Sequence, residues 1–176
     1  MTTTRFPTTQ YTAEHFVESA GAILFHISTQ RICLVHLKPR DEWILAKGRR
    51  NVGEFRAVTA LREVTEETGI PCRPLTVRMK TRAPPAIEPE GGSTDVVREH
   101  EGSMEPFMVT LRQTGDEEIK FIWWYIAAVD EEKSVGVPEE RYEVVFLPFG
   151  EAVEKLTFQS DRDVVAKAVK IVKGED

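Results

Sequence analysis

The chain has 176 residues and a formal net charge of −6, with 41% hydrophobic and 30% charged residues. This length fits one domain with a single packed core, and this composition excludes a disordered chain. No apolar run approaches the roughly 18 residues that a membrane span needs, and the acidic balance disfavours binding to a nucleic acid polymer.

The N-terminal segment 1–14 begins with a threonine-rich stretch and lacks the apolar core of a secretory signal. We expect it to be a flexible tail, and we expect residues 15–176 to form a single domain. The two cysteines, Cys33 and Cys72, have the spacing of neither a zinc site nor a disulfide framework. We therefore expect a cytoplasmic protein, with the nucleus as the alternative compartment.

The first half of the predicted domain contains two strands and a basic loop. The strands are Val17–Phe25 and Ile32–Leu37, and we expect a hairpin through His26–Arg31 to join them. The segment Trp43–Gly53 contains two glycines, three basic residues and an asparagine, which is the composition of a loop.

A helix is predicted after this loop, because apolar residues recur there with helical spacing. Gly69 accepts a left-handed helix cap and Pro71 cannot extend a helix, so the predicted helix ends just before them. The residues that share the apolar arc, which we expect to pack on a sheet, are Ala57, Ala60, Leu61, Val64 and Thr68.

Further strands and a terminal helix are predicted in the second half of the chain. The predicted strands are Leu75–Met79, Phe107–Leu111, Ile119–Val129 and Tyr142–Leu147. A proline- and glycine-rich loop, Ala83–Asp95, follows the first of them, and the second and third are expected to pair across Gln113–Glu118. The segments Glu151–Leu156 and Asp161–Val172 have the spacing of an amphipathic helix. Together these elements predict an α/β domain with a mixed sheet.

Three glutamates of the predicted helix, Glu63, Glu66 and Glu67, lie within one arc of its surface, because their spacing is i, i+3 and i+4. Like charges at these spacings repel by roughly 0.2–0.5 kcal/mol a pair, and Glu67 lies at the negative end of the helix dipole. A magnesium ion, which prefers oxygen ligands, would remove both penalties. Such a cluster alone is more often a solvated helix face, so its surroundings decide the interpretation.

The surroundings of the cluster resemble the Nudix box over residues 48–70. The residues that fill its fixed positions are Gly48, Glu54, Arg62, Glu63, Val64, Glu66, Glu67, Gly69 and Ile70. The resemblance implies a Nudix-type α/β/α sandwich with a central mixed β-sheet. It also implies an enzyme that hydrolyses a phosphoanhydride bond in a phosphorylated small molecule.

The resemblance also implies which residues hold the metal. Proteins of the family bind one or more Mg²⁺ ions through the glutamates that match Glu63 and Glu67, often with a backbone carbonyl near the glycine that matches Gly48. Mn²⁺ is the alternative ion. Glu66 matches the residue commonly assigned as the general base or as an additional metal ligand.

Arg62 and Glu54 complete the expected catalytic set with Glu66. In the family, the arginine that matches Arg62 orients the glutamates through an ion pair, and Glu54 is its expected partner. A downstream glutamate often completes such metal sites. The candidates for that position are Glu88, Glu90, Glu99 and Glu101.

Basic residues around the box point to the substrate class. The predicted substrate-binding residues are Lys47, Arg49 and Arg50, with Lys38 and Arg40 from the end of the preceding strand. So many cations suit a polyphosphate chain. The pattern resembles family members that cleave dinucleoside polyphosphates or diphosphoinositol polyphosphates, and Trp43 matches a tryptophan that is frequent before the box. The segment Leu45–Gly48 departs from many relatives because it lacks a proline.

Other functions stay open from sequence alone. The same scaffold serves nucleotide-sugar and nucleoside triphosphate pyrophosphohydrolases, and a non-catalytic Nudix module could bind a phosphorylated ligand or a protein. The three intact glutamates favour an enzyme. Trp123, Trp124 and Tyr125 could stack on a nucleobase, but neighbouring strand residues point to opposite faces and core packing is the simpler interpretation. The sequence leaves the oligomeric state open.

Overall fold

The computed structural model describes residues 5–85, 87 and 96–175. Its strands are β1 (Phe16–His26), β2 (Arg31–Leu37), β3 (Glu42–Ile44), β4 (Lys47–Arg49), β5 (Cys72–Pro74), β6 (Val77–Thr81), β7 (Arg98–Ser103), β8 (Met108–Gln113), β9 (Ile119–Val129) and β10 (Tyr142–Pro148). Its helices are α1 (Arg56–Thr68), α2 (Phe149–Lys155) and α3 (Gln159–Lys173).

The main sheet has eight strands and is mixed. Its central order is β10-β2-β1-β9-β5, with β3 beside β2, β4 beside β1 and β8 beside β9. Strands β1 and β9 are parallel over ten paired residues, whereas the other described pairs of this sheet are antiparallel. Strands β6 and β7 form a separate antiparallel pair. The predicted mixed sheet is confirmed, as are the β1–β2 and β8–β9 hairpins.

Helices cover both faces of the main sheet, because alternate residues of β1 point to opposite sides. Leu24 belongs to a buried cluster that includes Val64 of α1. Ile23 and Phe25 belong to a second cluster, which includes Val165 of α3. The two clusters lie on opposite faces of β1, so the predicted α/β/α sandwich is confirmed.

The structure differs from the sequence prediction mainly in its short elements. Strand β4 and part of β3 lie inside Trp43–Gly53, which was predicted to be a loop. Three residues are too few to show an alternating pattern, so only their pairing with β1 and β2 reveals them. Strand β7 is mostly polar and was not predicted. The terminal helix is two helices, α2 and α3, separated at residues 156–158.

Several other expectations concern single residues. Cys33 and Cys72 are both free, as predicted. Trp124 is a core residue with 1% exposure, whereas Trp123 and Tyr125 belong to the cluster on the other face, as strand alternation predicts. Ala57 is exposed, although the other four positions of the predicted helical arc are buried or half-buried. The helices described here lack the combination of length and hydropathy that crossing a membrane requires.

Gly69 ends α1 and fixes the orientation of its last turn. Its φ angle is +70°, and its N–H donates to the carbonyl of Thr65 at 2.8 Å. Its own carbonyl accepts from the N–H of Gly136 at 2.6 Å. A Cβ atom here would lie 2.7 Å from the carbonyl carbon of Val137 and 2.8 Å from the nitrogen of Pro138. The 136–138 segment therefore packs directly on the cap of the helix.

Gly69→Ala is expected to lower the free energy of unfolding by about 2–4 kcal/mol, since it adds a backbone clash to the roughly 1–2 kcal/mol that a positive φ costs. Gly53→Ala is the matched control, because Gly53 has φ +78° and a Cβ there would meet nothing within 4 Å. Urea unfolding measures both losses. Equal losses in the two variants would contradict the proposed packing of the 136–138 segment.

Candidate functional site

Arg62 is the centre of a charged network on α1. Its Nε and Nη2 donate to the two carboxylate oxygens of Glu54, at 2.8 and 3.0 Å. Its Nη1 donates to Glu63 at 2.8 Å and to Glu66 at 2.9 Å, and Nη2 also reaches the carbonyl of Arg49 at 3.0 Å. One guanidinium thus binds three carboxylates, and these charge-assisted hydrogen bonds offset the repulsion between them.

Glu54 anchors Arg62 from the loop before α1. Its side chain is 12% exposed and also accepts hydrogen bonds from the N–H of Asn51 at 3.0 Å and the hydroxyl of Thr59 at 2.8 Å. The Arg62 guanidinium, helped by these two donors and opposed by burial, lowers the pKa of Glu54 to about 2. Glu54 is therefore a fixed negative charge.

Glu67 is the buried carboxylate of the site, with 4% exposure. The hydroxyl of Tyr142, on β10, donates to its Oε1 at 2.8 Å. The backbone N–H of Lys47, on β4, donates to its Oε2 at 3.0 Å. Burial outweighs these hydrogen bonds and raises the pKa of Glu67 to about 7. A cation close to Glu67 would keep this carboxylate ionised.

Gly48 lies directly against the carboxylate of Glu63. A Cβ atom at Gly48 would overlap the carboxylate carbon and both oxygens of Glu63, so this close approach requires glycine. The side chain of Glu63 is 13% exposed, whereas that of Glu66 is 49% exposed. Because Glu67 bonds to Lys47 and Glu63 rests on Gly48, the two carboxylates converge on neighbouring residues of β4.

The converging carboxylates suit a hard divalent cation. Among the described residues, no three acidic, histidine or cysteine side chains are already grouped as a complete metal site. Glu63 and Glu67 nevertheless supply oxygen donors at adjacent points of one strand, and Glu67 forms no ion pair with a described residue. Magnesium is commonly bound by one or two protein carboxylates, with water and substrate phosphates as its other ligands.

Two of the predicted substrate-binding cations flank Gly48. Lys47 and Arg49 lie on β4 and pair with Gly21 and Ser19 of β1. Lys47 is half-buried and Arg49 is exposed. Neither side chain forms an ion pair within 4.0 Å in the described part of the chain, so both are available to an anionic ligand.

The other three predicted cations have different surroundings. The side chain of Arg50 donates to Glu18 at 2.8 Å and to the carbonyl of Glu54 at 3.0 Å, so Arg50 is committed to the protein itself. Lys38 and Arg40 lie in a 3-10 turn after β2, and Lys38 lines a surface depression with Arg141. Arg50 thus has protein partners, whereas a contact of Lys38 or Arg40 with substrate stays a prediction.

Some residues near the site were not predicted. The sequence places Tyr142 in a strand but does not link it to the site, because Tyr142 lies 75 residues from Glu67 in the chain. Lys120 of β9 and Arg112 of β8 are direct cross-strand partners. Their pairing follows from the predicted hairpin, but their position relative to β4 can be seen only from the strand order of the whole sheet. Burial and the charges of Lys47, Arg112 and Arg49 lower the pKa of Lys120.

The candidates for a downstream glutamate divide into two pairs. Glu99 and Glu101 lie on β7, where both are paired with Arg78, at 2.5 and 3.0 Å. Glu88 and Glu90 lie outside the described residues. The choice among these four stays open.

The sequence is similar to that of known proteins. A family model described as the NUDIX domain matches residues 15–168. An 8-oxo-(d)GTP phosphatase from Mycolicibacterium smegmatis is 26% identical over 169 residues, which is 90% of this chain and 43% of that protein. The chain thus spans less than half the length of this curated relative.

Two solved structures share the fold. A C. elegans Ap4A hydrolase in a binary complex has a TM-score of 0.60 at 14% identity, covering 90% of this chain and 98% of the other. An E. coli dihydroneopterin triphosphate pyrophosphohydrolase has a TM-score of 0.52 at 15% identity, covering 87% and 96%. At these identities the likeness concerns the fold alone.

The network around Arg62 predicts a defined pH dependence. Glu54→Gln is expected to lower the free energy of unfolding at neutral pH by about 1–3 kcal/mol, because Arg62 loses its bidentate partner. The folded-state pKa of Glu54 is lowered from 4.5 to about 2. Its stabilisation is therefore fully present above about pH 5 and is lost as the pH falls through 4.5 towards 2.

Urea unfolding of the wild type and Glu54→Gln, at pH values from about 7 down to about 3, measures this effect. The difference between the two proteins should shrink as the pH falls. Glu117→Gln, at an exposed glutamate, is the control and should show no such trend. A difference for Glu54→Gln that stays constant over the whole pH range would contradict the assignment.

Proposed function

The chain belongs to the Nudix family, and we propose that it is a metal-dependent hydrolase that cleaves a phosphoanhydride bond in a phosphorylated small molecule. The observation that carries the proposal is the convergence of Glu63 and Glu67 on Gly48 and Lys47. Mg²⁺ is the proposed ion, with Mn²⁺ as the alternative. Glu63, Glu67 and the carbonyl of Gly48 would hold it, with Glu66 as a possible additional ligand.

Each residue of the site has a separate proposed part in hydrolysis. When bound, the ion supplies Lewis acidity towards phosphate oxygens and water. Glu66, the most exposed of the three helix glutamates, accepts a proton from the attacking water. The water oxygen bonds to phosphorus as the phosphoanhydride P–O bond breaks, and the leaving phosphate takes the electron pair of that bond. Arg62 and Glu54 are positioning residues, since they hold Glu63 and Glu66 in place.

The proposed substrate is a dinucleoside polyphosphate or a diphosphoinositol polyphosphate. Lys47 and Arg49 support this class, because they flank Gly48 and their side chains form no ion pair with a described residue. A contact of Lys38 or Arg40 with substrate stays a prediction, and Arg50 has a protein partner instead.

A nucleoside triphosphate is the second candidate substrate. The M. smegmatis relative is an 8-oxo-(d)GTP phosphatase, which favours this class over a nucleotide sugar. One panel separates the classes: diadenosine tetraphosphate, a diphosphoinositol polyphosphate, 8-oxo-dGTP and a nucleotide sugar, each with Mg²⁺, with Mn²⁺ and with EDTA. Metal-dependent release of phosphorylated products supports the proposed function. Ligand binding without turnover of any compound would indicate a non-catalytic module.

Glu66→Gln is expected to lower kcat by about 10²- to 10⁴-fold, because the variant cannot accept the proton from water. Its thermal stability should stay close to that of the wild type, since the Glu66 side chain is half exposed. Glu132→Gln, at an exposed glutamate that follows the C-terminal end of β9, is the control and should retain full activity. Full hydrolysis by Glu66→Gln would rule out Glu66 as the base.

Gly48→Ala is expected to weaken Mn²⁺ binding by about 10- to 100-fold, because the new methyl group displaces the carboxylate of Glu63. Electron paramagnetic resonance of free Mn²⁺ measures this binding without any turnover. Gly115→Ala is the control, since a Cβ there makes only ordinary contacts, at 3.4 Å or more. Unchanged Mn²⁺ affinity in Gly48→Ala would show that Glu63 is not a ligand.

A further inference from the structure

Four cations lie on the sheet face opposite α1, around the end of the sheet that contains Gly48. This cation cluster consists of Lys47, Arg49, Arg112 and Lys120. Arg112 and Lys120 are paired directly across β8 and β9. Strand alternation places Lys120 on the same face as Ile122 and Trp124, which belong to the core cluster that packs on α3.

The register of β1 places the other two cations on that face as well. Lys47 pairs with Gly21 and Arg49 pairs with Ser19. Ser19 is in turn the partner of Ile122 in the parallel β1–β9 pair. Directly paired residues share one face of a sheet, so all four members of the cation cluster point to the same side.

Small, buried residues of β1 lie between the two halves of the cluster. Strand β1 separates β4 from β9, so these two strands lie about 10 Å apart at roughly 4.8 Å per strand. The β1 residues between them on this face include Ser19 and Gly21, which are both buried, and the Cβ of Lys47 and the ring of Trp124 lie directly over Gly21. The hydroxyl of Ser19 is buried and has no hydrogen-bond partner in the described part of the chain.

The charges of the cluster act on one another and on the metal-site carboxylates. Lys47, Arg112 and Arg49 lower the pKa of Lys120, in addition to its burial, and Glu63 opposes them. Lys47 links the two sites, because its backbone N–H donates to Glu67 at 3.0 Å while its side chain lies on the opposite face with the cation cluster.

The cluster has too little negative charge of its own. None of the four side chains forms an ion pair within 4.0 Å with a residue that the structure describes. Asp161 lies in the first turn of α3 and is buried. Burial raises the pKa of Asp161, and the charges of Lys47 and Arg112 oppose this rise. Glu63 is already bound to Arg62, and Glu67 is held by Tyr142 and the backbone of Lys47. Four cationic side chains without an ion pair among the described residues favour an anionic ligand.

We propose that the cation cluster binds a second phosphate group of the substrate, outside the anhydride that Glu63 and Glu67 hold. This inference rests on the proposed function and narrows its substrate class. A chain of three or more phosphates, or a ring with several, has a phosphate for the cluster besides the anhydride that is cleaved. A nucleotide sugar has only the two phosphates of its anhydride. Lys120 and Arg112 are then specificity-determining residues.

Binding of inorganic tripolyphosphate in EDTA, measured by isothermal titration calorimetry, tests the cluster without metal or turnover. Lys120→Met and Arg112→Met should each weaken this binding by about 10- to 100-fold, as expected for loss of a charge-assisted hydrogen bond. Lys120→Arg keeps the charge and should restore most of the affinity. Lys170→Met, at an exposed lysine on α3, is the matched control and should bind like the wild type.

Thermal unfolding of the same variants tests for a purely structural role. Lys120→Met should be at least as stable as the wild type, because it removes a half-buried charge that its neighbours repel. Weakened tripolyphosphate binding together with unchanged or raised stability supports the inference. A loss of stability that accounts for the weakened binding, with no rescue by Lys120→Arg, would overturn it.

Turnover with Mg²⁺ gives the second readout. Lys120→Met should raise KM for diadenosine tetraphosphate by the same factor by which it weakens tripolyphosphate binding. It should leave kcat/KM for ADP-ribose, a nucleotide sugar, within about twofold of the wild-type value. Equal losses for both substrates, or tripolyphosphate binding like that of the wild type, would overturn the inference. If the wild type hydrolyses nothing but binds tripolyphosphate through Lys120, the proposed function fails and the anion site stands.

Discussion

The guanidinium of Arg62 holds three carboxylates at fixed positions, and the geometry of the site depends on this arrangement. Glu63 and Glu66 repel each other on one helix surface, and Glu54 adds a third negative charge from the preceding loop. Arg62 binds all three at 2.8–3.0 Å. Because its other contact is the carbonyl of Arg49, the same side chain also ties α1 to β4. The carboxylates therefore face β4 with little freedom.

Glu67 is held in a different way, and the difference matters for its chemistry. No cationic side chain in the described part of the chain pairs with it; a tyrosine hydroxyl and a backbone N–H hold it instead. These neutral donors fix its orientation without neutralising its charge. The site thus shifts the pKa values of two carboxylates in opposite directions: the pKa of Glu54 is lowered and that of Glu67 is raised. Glu54 serves as a permanent counter-ion for Arg62, whereas Glu67 suits a cation that comes with the substrate.

The sequence was sufficient for the parts of the molecule that depend on local pattern. The helix, its Gly69 cap, the long strands and the alternation that buries Trp124 all follow from spacing. The Nudix family could be inferred from the residues of the Nudix box, at positions 48–70. Tyr142 could not be assigned to the site, because its contact with Glu67 joins an edge strand to a helix across 75 residues. The grouping of the cation cluster could not be predicted for a related reason. Strand β4 has three residues, and its position beside β1 depends on the whole sheet.

A crystal soaked in MnCl₂ and measured at the manganese absorption edge tests the central claim most directly. We expect an anomalous peak that contacts the carboxylates of both Glu63 and Glu67, next to the backbone of Gly48. The same map should show Arg62 still bound to Glu54. A peak elsewhere, or none while Glu63 and Glu67 keep their present protein partners, would contradict the account.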